Sequence, residues 1–185
     1  MARPRKTTVR RNRLGKSLGE PERIDPTVLA VRARHLIGDG LNPNEAGNAL
    51  AGYTLGRLLL RSRADRTDPS GITEEQFQAG DRWCRIVHRH AAIMGYNLRI
   101  ASPNFAMVGG GKSVSAEPDR DLIMAIRRQF EESYDALMEA SRTHGYRVSK
   151  VTYGVCVDDW PILVLTEEDY GSLRTGLNAL ERVLS

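Results

Sequence analysis

Acidic residues are missing from the first 19 positions of this 185-residue chain, cysteine occurs only twice, and no long apolar run occurs anywhere. Each shortage excludes something. Two thiols, Cys84 and Cys156, cannot build a disulfide framework, which points to a reducing cytoplasm. The longest uncharged apolar run, WPILVL at 160–165, falls far short of the roughly 20 residues that cross a bilayer, so no membrane partner is expected. No apolar core follows the basic N-terminus, which argues against a secretory signal. An apolar fraction of 41% is slightly low for a globular chain and suggests that part of it stays disordered.

What is present is a lopsided charge. Arg3, Arg5, Lys6, Arg10, Arg11, Arg13 and Lys16 give residues 1–19 a charge of +7. The other 166 residues hold 20 basic and 23 acidic side chains, or −3, so the high pI belongs to a tail. A like-charge run with few large apolar groups buries too little surface to offset its ordering entropy. A disordered basic arm is therefore expected over 1–22. Its natural partner is a polyanion such as DNA or another nucleic acid, where each neutralised phosphate releases counterions.

Behind the arm the pattern is helical. Asp25 and Pro26 open a first helix that Gly38 and Gly40 stop, and Asn42 and Pro43 open a second running to about residue 61. These make an N-terminal helical hairpin over 23–61, with a polar linker at 62–72 and the main helical domain at 73–185. Thr73 and Gln76 fit a capping box, and Phe77, Cys84, Val87, Ala91 and Met94 mark the expected buried stripe of the helix that follows. Gly95 ends it, and a Gly-rich loop occupies 96–118. Pro118 and Asp119 begin a fourth helix, with Leu122, Ile123, Ile126, Phe130, Leu137 and Met138 facing inward and Gly145 as its stop. Val148, Val151 and Val155 fit a helix, whereas Val151, Tyr153, Val155 and Val157 fit a strand, which β-branching favours. Helical neighbours and the lack of a partner strand favour helix. A last helix is capped by Thr166 and packs through Tyr170, Leu173, Leu177 and Leu180.

AMVGGGKS at 106–113 matches the relaxed phosphate-loop pattern, and VCVDD at 155–159 mimics the acidic strand end of nucleotide hydrolases. A working loop needs a buried strand before it and a helix directly after it. Pro103 and Pro118 break both flanks, and the chain lacks the strand–helix alternation of a parallel sheet. The match reads as a flexible loop. Cys84 and His88 have i, i+4 spacing, which suits two metal ligands. A buried thiol beside a partly exposed histidine explains them as well. Asp158 and Asp159 are adjacent, so their side chains diverge, as in a helix-end or turn pair. No catalytic, cofactor or metal residue is assigned, and no cofactor is expected.

Arg82, Arg85 and Arg89 lie together on one face of the third helix and are the folded candidates for phosphate contact. The segments 151–157 and 166 onward resemble a helix-turn-helix in outline. The second would meet phosphates with Glu167, Glu168 and Asp169, so a hairpin within the core is the better reading.

AGYTLGRLLL (51–60), ITEEQFQAGDRWCRIVHRHAAIMG (72–95) and YGSLRTGLNALERVL (170–184) resemble an uncharacterised group of helical proteins from alphaproteobacterial prophages and tailed phages. The resemblance covers most of 50–184 and not the arm. Its motifs are structural; it implies a phage or prophage context and a small helical accessory protein, and it assigns no activity to any residue. The fold expected is all-α, one domain of five or six helices with a basic arm and a Gly-rich central loop. The leading functional expectation is a non-enzymatic, DNA-associated protein of phage type, with transcription regulation as the role in view. The alternative is a helical protein–protein interaction or assembly module, with a protein partner or a second copy of the chain in place of nucleic acid.

Overall fold

The structure is a computed structural model that describes residues 24–96 and 120–184. Those residues form six α-helices and three short 3-10 turns, with no β-strand among them, as an all-α chain requires. The helices are α1 (Pro26–Gly38), α2 (Thr54–Ala64), α3 (Glu74–Met94), α4 (Arg120–His144), α5 (Arg147–Cys156) and α6 (Glu167–Leu184). Both the basic arm and the 97–119 part of the Gly-rich loop lie outside the described residues.

Local signals set most boundaries. Asp25 accepts from the Thr27 N–H at 2.7 Å and starts α1. Thr73 and Gln76 form the reciprocal capping box that starts α3, and Gly95 ends that helix at φ 74°. Thr166 and Asp169 make an equivalent exchange at the start of α6, with the Thr166 N–H donating to the Asp169 carboxylate at 2.8 Å. Gly145, at φ 102°, turns the chain between α4 and α5. Each signal acts within three or four residues, which is why it is readable in one dimension.

One expected helix is not continuous. The stretch after Asn42 forms 3-10 turns at Pro43–Gly47 and Ala49–Gly52, an extended Tyr53, and only then α2. Asn42 caps the first turn as expected. Asn48 then caps the second by accepting from the Leu50 N–H at 3.0 Å, an alternative to continuing the helix. The turn folds back so tightly that a Cβ on Gly56 would sit 2.2 Å from the Leu50 carbonyl oxygen. Only glycine at 56 permits that approach.

The main core joins α2, α3, α5 and α6, and Leu137 of α4 closes one side. Every residue from Thr54 to Leu60 is buried, so α2 is enclosed on all faces. In α6, Leu173, Leu177 and Leu180 are wholly inaccessible, on the face the periodicity indicated. The valine-rich segment is helical. Val148, Val151 and Val155 share its inward face, and the Thr152 hydroxyl donates back to the Val148 carbonyl. A second, smaller cluster of Leu36, Ala46, Ala51 and Leu60 holds α1 against the 3-10 turns.

Two buried stripes differ from expectation. In α3 the inward face runs through Gln76, Ala79, Gly80, Trp83, Ile86, Val87 and Ala91, leaving Phe77 and Cys84 at its margin and Met94 exposed. Trp83, 1% exposed and stacked on Phe130, lies on that face. In α4 the inward face is Ile126, Ser133, Leu137 and Ser141, and Leu122 is exposed, because the first turns of α4 extend past the core. Phe130 stays half-buried, stacked on His90 at 3.9 Å between ring centres.

Candidate functional site

Arg82, Arg85 and Arg89 are exposed along one face of α3, as helical spacing dictates. Their setting is mixed in sign. Arg85 pairs with Asp81 at 2.5 Å, one turn earlier, and Arg82 lines a shallow groove that also contains Glu75 and Glu181. The seven arm residues, Arg3, Arg5, Lys6, Arg10, Arg11, Arg13 and Lys16, lie outside the described residues.

The thiols sit in surroundings that suppress reactivity. Burial, reinforced by Asp81 and Asp159, pushes Cys84 up to about 12, and burial likewise drives Cys156 well above its ordinary range. The thiolate is the nucleophile and the metal ligand, so neither cysteine is poised for such chemistry near neutral pH. Burial lowers the pKa of His88. Among the described residues, no group of three or more His, Cys, Asp and Glu side chains is arranged to hold a metal ion. The phosphate-loop match at 106–113 lies outside the described residues.

Asp158 and Asp159 do diverge. Asp158 is exposed, whereas Asp159 adopts φ 52° and turns its carboxylate to the Thr54 N–H at 2.6 Å, capping α2 from the far end of the chain. The segments outlined as a helix-turn-helix are α5 and α6, and both pack into the core. Arg147 ties them together at the acidic start of α6, bonding Glu168 and, at 3.0 Å, Asp169.

A polar constellation absent from the sequence reading surrounds α2. The Arg57 guanidinium, 5% exposed, bonds Asp39 at 2.6 Å and the Thr54 hydroxyl at 2.9 Å. Arg61 reaches the Asp39 carbonyl at 2.7 Å and the Ser70 hydroxyl at 2.8 Å. One signal for it is visible in retrospect: Arg57 falls inside the leucine-rich run TLGRLLL, where a charge needs a partner. The identity of that partner is not visible there.

Beside this network α1, Gly52 and the Asp159–Pro161 segment enclose an open cavity of about 440 Å³. Arg32, only 8% exposed, lines it together with Arg57 and His35. In comparisons with known proteins, no family model, no curated protein and no solved structure matches the chain.

Proposed function

We propose that the protein is a non-enzymatic DNA-associated protein of phage type, acting in transcription regulation, in which the basic arm supplies most of the affinity. The observation that carries this reading is the charge partition. Seven cations and no acid occupy residues 1–19, ahead of a body of net charge −3. That arrangement suits phosphate neutralisation by the arm and leaves the body without the field for non-specific binding of its own. The exposed Arg82, Arg85 and Arg89 add a folded secondary contact, weakened by Asp81, Glu75 and Glu181 around them. The high pKa values of both thiols support the non-enzymatic half of the reading.

A gel-shift titration on duplex DNA at two salt concentrations tests the proposal, using the full chain, a chain lacking residues 1–19, and an Arg82→Ala, Arg85→Ala, Arg89→Ala variant. Affinity should fall steeply with salt, the deletion should remove most of it, and the triple variant should lower the salt slope by about one unit per lost phosphate contact. Undiminished binding after the deletion would overturn the arm's role. Absence of any shift, together with a stable oligomer in scattering, would favour the assembly-module alternative.

A further inference from the structure

The cavity beside α1 contains a buried cation, Arg32, that has no anionic partner among the described residues. Arg32 projects from α1 onto the backbone of Gly52, so closely that a Cβ there would lie 3.1 Å from Nη2 and 3.3 Å from Nε. Its Nε is fully buried and has no hydrogen-bond partner. No carboxylate lies within 4 Å of Arg32 among the described residues. The two nearby acids are already engaged: Asp39 holds Arg57, and Asp159 caps α2 through the Thr54 N–H. A guanidinium buried to this degree without a counter-charge is costly, and proteins seldom retain one.

The cavity around it is shaped for one. His35 and Arg57 add donors to the polar side, and Val28, Val31 and Pro161 form an apolar wall. A volume of about 440 Å³ lies within the range of small-molecule sites. Asp159 also lines the cavity, and its carboxylate disfavours a highly charged occupant. We propose that this cavity binds a small organic oxyanion, its carboxylate or phosphate group held by Arg32 and its apolar part resting against Val28, Val31 and Pro161. Guanidinium recognises both oxyanions through paired N–H donors, and the apolar wall selects for a ligand with a hydrocarbon body. The inference does not depend on DNA binding by the arm.

The test is thermal unfolding of the full chain at constant ionic strength set with chloride, titrated separately with isobutyrate and with inorganic phosphate. At least one anion should raise the melting temperature saturably by several degrees, and a stronger response to isobutyrate would identify the carboxylate source. Arg32→Met should abolish the response, and without anion it should melt no lower than the wild type because it removes an unpaired charge. Val31→Asp, at an exposed position on the rim, should weaken binding at least tenfold and decides the matter if Arg32→Met fails to fold. A wild type indifferent to both anions, or an unchanged response in Arg32→Met or Val31→Asp, would overturn the proposal.

Discussion

Asp159 and Thr54 stand 105 residues apart in the chain, yet the Asp159 carboxylate accepts the Thr54 N–H at 2.6 Å and closes the N-terminus of α2. Tyr53, the residue preceding α2, offers no side-chain cap of its own. The cap comes instead from a residue in the left-handed region, at φ 52°, just beyond α5. The link therefore combines an N-cap with a conformation that asparagine, aspartate and glycine tolerate best.

Three substitutions at 159 separate the two contributions. Asp159→Asn keeps an acceptor and a tolerant backbone and should cost least. Asp159→Gly keeps only the backbone and should lose about 1 kcal/mol. Asp159→Ala loses both and should lose about 2–3 kcal/mol. Urea unfolding reads the order directly, and an alanine variant as stable as the asparagine one would remove Asp159 from the account.

The Asp39–Arg57 pair should behave as a buried unit. Asp39→Ala strands a guanidinium that is 5% exposed and should cost about 3–5 kcal/mol. The same change made on an Arg57→Met background should cost far less, since no buried cation then remains. A double-mutant cycle with additive losses would contradict this.

Gly176 of α6 lies against Thr152 of α5, and a Cβ there would fall 2.0 Å from the threonine Oγ1. Alanine is the better helix former by about 1 kcal/mol, yet overpacking costs of about 1–3 kcal/mol should dominate, so Gly176→Ala should lower the melting temperature. Adding Thr152→Ala makes room and should recover part of the loss, although it removes the Thr152 bond to the Val148 carbonyl. A Gly176→Ala protein more stable than the wild type would show that the helices separate freely.

Alkaline conditions should expose the two thiols. In the unfolded chain they ionise near 9, whereas burial holds Cys84 to about 12 and keeps Cys156 well above its ordinary range. Native protein thus keeps protons that the unfolded chain releases. The associated stability is complete below pH 9 and is lost as pH rises from 9 towards 12. Denaturant midpoints measured between pH 8 and 11 should fall for the wild type and fall less for a Cys84→Ala, Cys156→Ala variant. At neutral pH a disulfide reagent should leave Cys156 unlabelled until the protein unfolds, and its rapid native labelling would contradict its burial.

Helix identity and most helix ends were legible because their causes are local. Asp25, Asn42, Thr73, Gln76 and Thr166 all act on backbone groups two or three residues away, and the final helix already displays its core face as Leu173, Leu177 and Leu180. The inward face of α3 was less legible, since Ile86, Val87 and Cys84 allow more than one stripe and only packing against the other helices selects among them. The break of α2 at Tyr53 was equally hidden, because it depends on Gly56 fitting against the Leu50 backbone.

Amino-acid order alone determined an all-helical body, its local caps and the concentration of positive charge at one end. Tertiary structure decided which charges meet: Asp39 with Arg57, Arg147 with Asp169, and Asp159 with the end of α2, while Arg32 meets no carboxylate among the described residues. The physical reason is range. A cap or a helical period repeats within one or two turns, whereas partners for buried charges are set by how whole helices cross, and no short window of residues contains that information.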